Sequence, residues 1–336
     1  MPSIHDVAKR LNISITTVSR ALDGYSDVAE ETRQLVIKTA QEMGYVPNRA
    51  ARQLRRQRSD TIGFILPARA PQFADPFFSE FIAGLGDEAT SHNLDLLVST
   101  AAPNSDLERQ GYERWVHGRK VDGLVLNRMR LRDWRVQYLA KTDLPFVSLE
   151  RSLDRSDHAS VEVDGVAGFK LLMAYLTGNG YQRIAYIGGP RELKIQTDRF
   201  AGYKKGLAAA GIAYDPVLVV EGDTTRGGGY QAAQKLFALQ PPPTAITCIN
   251  DLTAIGVLHA ASERGLVVGR DLAVAGFDGI ADAEHTSPPL TTLNQPLYEI
   301  ARTLVKMLVA LIQNQPLEER RVQLQPELLI RESTGG

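Results

Sequence analysis

The feature that most constrains this chain is its N-terminal stretch, residues 4–22, IHDVAKRLNISITTVSRAL. Its apolar residues recur at helical spacing in two short blocks, which predicts two helices joined by a tight turn at Asn12. Asparagine tolerates the left-handed backbone of such a turn better than most residues do. We expect Ser3 to cap the first helix and Ser14 to cap the second.

The second predicted helix turns Val18 and Leu22 inward and leaves a hydroxyl-rich face outside. That face suits contacts to the phosphates and base edges of DNA. Together with the capping serine it consists of Ser14, Ile15, Thr16, Thr17, Ser19 and Arg20. The alternative is a small amphipathic helix pair whose polar face is merely solvated.

Two later segments favour DNA binding. Residues 29–43 predict a third helix, which would complete a three-helix core. The residues expected to face inward are Leu35, Val36, Thr39, Ala40 and Met43. Residues 48–58, NRAARQLRRQR, carry five arginines and no acidic residue.

The charge distribution agrees with a nucleic-acid partner for the N-terminal region. The whole chain is nearly neutral, with 38 basic and 39 acidic residues. Residues 1–60, however, hold 10 Lys and Arg against 7 Asp and Glu, whereas the remaining 276 residues hold 28 against 32. A basic head on an acidic body indicates local attraction to nucleic acid.

From residue 61 the pattern changes to short apolar runs that alternate with helical patterns, which predicts parallel sheets covered by helices. The first run is TIGFILP at 61–67, and the alternation restarts with a similar run at 183–188. We therefore expect two similar α/β lobes. A helix over 297–313 and a strand near 322–324 should cross back to the first lobe. Two such lobes enclose a cleft, and ligands sit at the carboxyl ends of the strands.

The expected organisation has three parts. Residues 1–47 form a helix-turn-helix headpiece, and residues 48–60 form a hinge helix and linker. Residues 61–336 form a body of two Rossmann-like lobes. Lobe one spans about 61–160 plus the C-terminal crossover segments, and lobe two spans about 161–290.

Polar and aromatic side chains near strand ends are the candidates for binding a ligand in the cleft. They are Phe77, Phe78, Glu150, Arg199, Asn250 and Asp278. Carboxylates, an amide and an arginine beside an aromatic wall provide the hydrogen bonds and the flat apolar face that a polyol needs. The competing explanation is that strand-end Asp and Asn residues cap the following helices, which we expect of Asp251.

Other features limit the classes of function. The single cysteine, Cys248, allows no disulfide framework, and no apolar stretch approaches the roughly 20 residues of a membrane span. The first helix begins too early to leave room for a signal peptide, so we expect a cytoplasmic protein without a membrane partner. A glycosidase could use Glu150, Arg199 and Asp278, and a plain solute-binding protein is a further alternative. No Ser/His/Asp order, metal-ligand cluster or phosphate loop accompanies these residues, so we expect neither an enzyme nor a cofactor.

A family resemblance is carried by motifs that run through the N-terminal region: DVA at 6–8, TVSR at 17–20, TR at 32–33, GYVPN at 44–48, AR at 51–52 and Leu54. In order and spacing they resemble the LacI/GalR family of bacterial transcription regulators. The resemblance implies a periplasmic-binding-protein-like body and a homodimeric regulator, a repressor by preference. It would bind a pseudo-palindromic operator of double-stranded DNA and respond to a small-molecule effector, a sugar or sugar derivative.

The resemblance also implies roles for individual residues. Arg20 would pair with a guanine, Ile15 and Thr16 would contact bases, and Thr17 and Ser19 would contact phosphates. Leu54, on the hinge helix, would wedge into the minor groove and kink the DNA. The phosphate and groove contacts around it would come from Asn48, Arg49, Arg52 and Arg55. By composition alone, Leu54 could instead pack on the body.

Overall fold

The computed structural model describes residues 2–46, 58–67, 75–153 and 157–335. The chain forms two compact units, a headpiece, Met1–Ser59, and a body, Asp60–Gly336. The hinge residues Asn48, Arg49, Arg52, Leu54 and Arg55 lie outside the described residues, so their predicted roles remain predictions.

The headpiece contains three helices: α1 (Ile4–Leu11), α2 (Ile15–Leu22) and α3 (Glu30–Glu42). Val7, Val18 and Val36, one from each helix, are fully buried at its centre. Asn12 adopts the predicted left-handed backbone, with φ at 53°, where the chain turns from α1 into α2. Leu35 was expected inside, but its side chain is 53% exposed because the buried face of α3 runs through Val36, Thr39 and Ala40.

The first sheet of the body is parallel throughout and defines lobe one. Six strands lie within the described residues, in the order β11-β5-β4-β3-β1-β2. Their bounds are β1 (Thr61–Pro67), β2 (Asp95–Ala101), β3 (Gly123–Leu126), β4 (Phe146–Leu149), β5 (Ala159–Val163) and β11 (Arg321–Leu324).

The second sheet defines lobe two and has the order β12-β10-β9-β8-β6-β7 within the described residues. It is parallel except for the pairing of β10 with β12. Its strands are β6 (Ile184–Gly188), β7 (Val219–Glu221), β8 (Ala245–Cys248), β9 (Ala273–Asp278), β10 (Thr291–Asn294) and β12 (Glu327–Leu329). The sequence patterns did not predict β10 or β12, which are short strands of four and three residues.

The helices of the body cover the sheets, as the alternating pattern predicted. Lobe one carries α4 (Pro76–Ser91), α5 (Asp106–His117), α6 (Trp134–Leu139) and α11 (Leu297–Ile312). Lobe two carries α7 (Gly165–Gly178), α8 (Lys194–Ala209), α9 (Arg226–Phe237) and α10 (Asp251–Glu263). Short 3-10 turns at Pro216–Leu218, Ala281–His285 and Glu332–Thr334 complete the described elements.

The predicted return of the C-terminal segment to lobe one is confirmed, because α11 packs on α4 and β11 joins the first sheet. Gly84 permits the close helix packing, since a Cβ atom there would lie 2.4 Å from the carbonyl oxygen of Tyr298. The whole of β5, up to Val163, pairs within the first sheet. In the described parts of the chain, no helix is long and apolar enough to cross a membrane.

Candidate functional site

The exposed face of α2 begins with a capped N-terminus. The Ser14 hydroxyl accepts a hydrogen bond from the backbone N–H of Thr17 at 3.0 Å, so the predicted cap is confirmed. The Ser14 and Thr17 hydroxyls are also 2.8 Å apart. Ile15 and Thr16 are exposed beside them. This end of α2 therefore presents two linked hydroxyl groups and one apolar side chain to the surface.

Arg20 lies further along α2 and is held in a carboxylate pair within the headpiece. Its Nε donates to Oδ1 of Asp27 at 3.1 Å, and its Nη2 contacts Oδ2 of the same residue. The guanidinium carbon also lies 5.0 Å from the centre of the Tyr25 ring. The side chains of Arg20 and Asp27 are both about half exposed. A base contact by Arg20 therefore has to compete with Asp27 for the guanidinium group.

Ser19 was expected on the exposed face of α2, but only 7% of this residue is exposed. It lies four residues after Ile15 and three before Leu22, at the flank of the apolar face. A serine is small enough there to be covered by the rest of the headpiece. The phosphate contact of Ser19 stays a prediction, made for a residue that is largely covered in the headpiece.

In the body, five of the six predicted cleft residues line one cavity between the lobes, which we call the inner cavity. Glu150 directly follows β4, Asn250 lies two residues after β8, and Asp278 ends β9. Phe77 and Arg199 reach the cavity from α4 and α8. The space between its walls, including the part open to solvent, is about 530 Å³. It lies at the carboxyl ends of the strands, where the fold class places ligands.

Arg199 is the central cation of the inner cavity and is 4% exposed. Both of its terminal nitrogens lie 3.4 Å from Oδ1 of Asp278, and one of them donates to the carbonyl oxygen of Ile249. The guanidinium carbon lies 3.6 Å from the centre of the Phe277 ring. These contacts leave the guanidinium plane fixed, which is the condition for directional recognition of a polar ligand.

Three carboxyl groups line the cavity, and two of them, Glu150 and Asp278, combine a strained backbone with a raised pKa. Burial also raises the pKa of the third, Asp75. Glu150 and Asp278 have φ values of 69° and 120°. Burial raises the pKa of Glu150 to about 7, although the Val163 N–H donates to it at 3.2 Å. Burial likewise raises the pKa of Asp278 to about 7, against the opposing charge of Arg199 and a 2.8 Å hydrogen bond from Gln295. Non-glycine residues with positive φ and shifted pKa values are typical of functional sites.

The expected helix cap at this strand end is a different residue. Asn250, not Asp251, caps α10: its Oδ1 accepts from the Thr253 N–H at 3.2 Å. Its amide also donates to the carbonyl oxygen of Thr224 at 3.1 Å. Asp251 is buried and accepts from the Gly279 N–H at 2.8 Å and from the Thr292 hydroxyl. Asp251 therefore ties the end of β9 to α10 and β10, while Asn250 combines a cap with a place in the cavity wall.

Phe78, the sixth predicted residue, is 6% exposed and lines a neighbouring cavity rather than the inner one. The Arg128 guanidinium carbon lies 5.2 Å from the centre of its ring. Phe77 forms part of the inner cavity, and the two phenylalanine rings are 5.1 Å apart, edge to face. Phe78 therefore supports Arg128 and Phe77.

Seven further residues line the inner cavity and were not among the sequence candidates: Asp75, Asn127, Arg128, Leu149, Ile195, Thr224 and Gln295. Asn127 directly follows β3, and Gln295 directly follows β10. The sequence does carry a signal for Asn127. It is a polar residue at the end of an apolar run, and the same pattern identified Glu150. The Asn127 amide nitrogen is buried and has no hydrogen-bond partner among the described residues.

A short backbone ladder joins the lobes beside the inner cavity. The Leu131 N–H donates to the Glu192 carbonyl oxygen at 2.8 Å, and the Lys194 N–H donates to the Met129 carbonyl oxygen at 2.9 Å. We call this the interlobe ladder. Its neighbours in the chain, Arg128 in lobe one and Ile195 in lobe two, both line the inner cavity. A molecule in the cavity therefore touches both lobes next to a direct connection between them.

The lining of the inner cavity consists of groups that can bind a polar ligand. In the described ranges, no three His, Cys, Asp or Glu side chains form a cluster that could hold a metal ion. Cys248 is buried, and burial raises the pKa of its thiol well above the usual value, which keeps it unreactive. The cavity instead combines carboxyl, amide and guanidinium groups with the apolar walls of Phe77, Leu149 and Ile195.

Comparison with known proteins gives consistent matches. Residues 3–48 match the family model described as bacterial regulatory proteins, lacI family, and residues 173–334 match a periplasmic binding protein-like domain. The HTH-type transcriptional regulator AglR of Rhizobium meliloti (strain 1021) is 34% identical, covering 99% of this chain and 94% of that protein.

Two solved structures are similar along nearly the whole chain. The transcriptional regulator CelR in complex with cellobiose has a TM-score of 0.77 and 31% identity, covering 99% of this chain and 100% of that one. The Lac repressor dimer bound to operator and the anti-inducer ONPF has a TM-score of 0.84 and 30% identity, covering 99% of each chain. Both similarities extend through the headpiece and the body.

Proposed function

The chain belongs to the LacI family of bacterial transcription regulators, and from this membership we propose that it binds a pseudo-palindromic operator as a homodimer under the control of a sugar. Because the members of this family are transcription regulators, the membership also argues against the two alternatives, a glycosidase and a plain solute-binding protein. We propose a cytoplasmic location, where a transcription regulator has access to DNA, and repression as the mode of control.

The observation that carries the sugar proposal is the convergence of Glu150, Arg199, Asn250 and Asp278 from separate elements on one buried cavity. Carboxylates accept hydrogen bonds from hydroxyl groups, whereas the guanidinium and amide groups donate to them. The unpartnered amide nitrogen of Asn127 is one further donor. A sugar, which carries a hydroxyl on most carbons and an apolar ring face, satisfies these groups together.

For the DNA, we propose that α2 enters the major groove. Thr17 and Ser14 bind phosphates, while Ile15, Thr16 and Arg20 contact base edges. Beyond the described residues, we keep the sequence prediction that Leu54 wedges into the minor groove, flanked by Asn48, Arg49, Arg52 and Arg55. Twofold symmetry of the dimer then requires a twofold-symmetric operator.

The control mechanism follows from the interlobe ladder. A sugar in the inner cavity contacts residues of both lobes, so it binds most tightly to one relative orientation of the lobes. If the orientation that the sugar favours differs from the orientation in the DNA-bound dimer, sugar binding lowers operator affinity. Operator binding then lowers sugar affinity by the same factor. Arg128 and Ile195 line the cavity and flank the interlobe ladder, so they are the first residues to transmit the change in lobe orientation.

The DNA-binding proposal is tested at Arg20. Arg20→Ala is expected to relax base preference at one base pair per half-site and to cost about 1–3 kcal/mol at that position. Operator sequences are first selected from random DNA with the wild-type chain, and single-base variants are then compared by fluorescence anisotropy. Unchanged base preference in Arg20→Ala would show that α2 docks differently.

Asp27→Asn is the matched control, because it frees the guanidinium without removing it. Exposed ion pairs of this kind are worth about 0.2–1 kcal/mol. Operator affinity should therefore rise by up to about fivefold, with base preference unchanged.

The sugar-binding proposal predicts a pH dependence. Burial raises the pKa of Glu150 and that of Asp278 to about 7, so both carboxyl groups are partly protonated at neutral pH. Sugar hydroxyls that donate to them favour the ionised forms, so binding releases protons and affinity rises with pH from about 5.5 to about 8. The limit is about tenfold per pH unit for each proton released. Titration calorimetry in two buffers with different ionisation heats counts the protons.

In the unliganded protein, folding stability changes with pH in the opposite direction, because it falls as the pH rises. Because the folded-state pKa values are raised, the contribution of these groups to folding stability is intact below about pH 4 and is lost as pH rises through about 7. Sugar affinity that falls with rising pH would mean that the sugar binds the protonated carboxyl groups, contrary to the proposed contacts.

A further inference from the structure

Glu150 reaches the inner cavity from a backbone conformation that has to be held in place. Its φ of 69° lies in the left-handed region, which a long side chain rarely adopts and keeps only when surrounding contacts fix it. Two of these contacts come from β5. The Glu150 N–H donates to the carbonyl oxygen of Val161 at 2.8 Å, and the Val163 N–H donates to the Glu150 carboxyl group at 3.2 Å. They fix the amide and the carboxyl group of Glu150 but not its carbonyl.

The Glu150 carbonyl is held by Ser148, which lies on β4 two residues earlier in the chain. Ser148 is fully buried, and its hydroxyl oxygen lies 2.6 Å from the Glu150 carbonyl oxygen. A carbonyl oxygen can only accept a hydrogen bond, so the hydroxyl of Ser148 has to donate. A serine hydroxyl carries one proton, and that proton is therefore directed at Glu150.

His158, the residue before β5, completes the arrangement. Its Nε2 lies 2.8 Å from the Ser148 hydroxyl oxygen. Because the Ser148 proton is already engaged, the imidazole has to be the donor of this hydrogen bond, which assigns a proton to Nε2. Burial, assisted by the charge of Arg151, lowers the pKa of His158 to about 4, so the ring is neutral at neutral pH. The ring also stacks on Phe146, with the ring centres 5.0 Å apart.

The two hydrogen bonds run in one direction, from His158 Nε2–H to the Ser148 hydroxyl and from that hydroxyl to the Glu150 carbonyl oxygen. We call these three residues the positioning relay. Ser148 and His158 are both buried, and neither is among the described residues that line the inner cavity. Any effect that they have on a ligand therefore passes through Glu150.

We propose that Ser148 and His158 are positioning residues, which hold the Glu150 backbone in the conformation that directs its carboxyl group into the inner cavity. The inference rests on the proposed function, in which Glu150 contacts the sugar. It adds two residues that touch no ligand and assigns the donor and the acceptor at each step of the relay.

The direction of the relay is tested by the tautomer of His158 in the full wild-type chain. NMR of histidine ring nitrogens after selective nitrogen-15 labelling distinguishes the two neutral forms, and the loss of one signal in His158→Phe assigns it. We expect the proton on Nε2 at neutral pH. A proton on Nδ1 instead would make Nε2 the acceptor, so Ser148 could not donate to Glu150 and the proposal would be overturned.

Ser148→Ala removes the central hydroxyl and releases the Glu150 carbonyl. The carboxyl group should then leave its buried position, and its pKa should fall from about 7 toward the ordinary range of a glutamate. Carbon-13 NMR of the glutamate carboxyl groups against pH measures this change without a ligand, with the signal assigned by its loss in Glu150→Gln. His158→Phe keeps a ring against Phe146 but has no N–H, so it should lower the pKa of Glu150 as well. A wild-type pKa in both variants would contradict the proposal.

Ser160→Ala is the matched control. Ser160 is also fully buried and lies opposite Ser148 in the register of the sheet, but its hydroxyl is directed at Glu162 at 3.4 Å. This variant should leave the pKa of Glu150 unchanged. His158→Gln places an amide nitrogen where the imidazole Nε2 stands, so it is expected to rescue the pKa that His158→Phe lowers. An equal shift in Ser160→Ala would show that any buried hydroxyl of the sheet has this effect, contrary to the proposal.

Titration calorimetry of the full chain with glucose, galactose and cellobiose extends the test to binding. For each sugar that binds the wild type, Ser148→Ala and His158→Phe should weaken binding by about three- to tenfold, the effect of about one hydrogen bond. Wild-type affinity in both variants would overturn the positioning role while leaving the sugar proposal intact. If none of these sugars binds the wild type, the sugar proposal fails for them, and the ligand-free NMR measurements still decide whether the relay positions Glu150.

Discussion

Arg199→Ala is expected to abolish the response of operator binding to the sugar while leaving operator affinity in the absence of sugar within about twofold of wild type. Arg199 is 4% exposed and holds Asp278 and the carbonyl oxygen of Ile249. Truncating one partner of a buried, hydrogen-bonded charge pair costs about 2–5 kcal/mol of binding. Sugar affinity should therefore fall by about 30-fold to several thousandfold.

The control for this variant is Arg270→Ala. Arg270 is also an arginine of lobe two, but its side chain is 72% exposed and its partner is the adjacent Asp271. It precedes β9, whereas Asp278 ends that strand, so it lies away from the inner cavity. Arg270→Ala should bind sugar and respond to it as the wild type does. A full sugar response in Arg199→Ala would remove Arg199 from the effector site.

The second large effect is expected in lobe one, where Asp133→Ala should lower the free energy of unfolding by about 3–5 kcal/mol. Asp133 is completely buried and accepts from Arg135 at 2.6 Å and 2.9 Å, and from the Arg130 N–H at 3.1 Å. Burial opposes ionisation of Asp133, but the hydrogen bonds and charge of Arg135 outweigh it and lower the pKa. Removing the carboxylate leaves the fully buried Arg135 with an insufficient counter-charge.

Urea denaturation of the full chain, followed by fluorescence of the tryptophans, measures this loss. Asp133→Asn keeps the shape and one acceptor oxygen, so it should fold and show a smaller loss. Asp282→Ala, which removes an exposed partner of Arg226, should cost only about 0–1 kcal/mol. A cost for Asp133→Ala as small as that of Asp282→Ala would mean that the buried network does not stabilise lobe one.

The buried network also bears on function, because Arg130 belongs both to it and to the interlobe ladder. Its Nη2 lies 2.8 Å and 2.9 Å from the two carboxylate oxygens of Glu108. Its backbone pairs with Leu193 of lobe two. Variants that loosen the network are therefore expected to alter the coupling between the lobes as well as stability.

The sequence identified those cleft residues that lie at the carboxyl ends of strands, because the fold class places its ligands there. Glu150, Asn250 and Asp278 could be found because each lies at or just after the carboxyl end of an apolar run, and parallel strands bring those ends together. Gln295 follows the same rule but was missed. Its strand, β10, reads TTLN and has a single apolar residue, so the sequence offers no apolar run by which to recognise it.

Packing around individual side chains could not be predicted in the same way. Helical spacing identified Val18 and Val36, but it does not give the width of the buried face, so Ser19 and Leu35 were assigned to the wrong sides. Thr224 contributes to the cavity through its small size and its position in three dimensions. A threonine in a loop carries no sequence signal for either property.

The central claim is that a sugar bound in the body controls the affinity of the headpieces for a symmetric operator. Its most direct test is a fluorescence anisotropy titration of the selected operator with the full chain, with and without a saturating sugar. We expect one dimer per operator and an affinity change of about 5- to 150-fold when the sugar is present. An operator affinity that stays the same with a sugar shown by calorimetry to bind the body would contradict the claim.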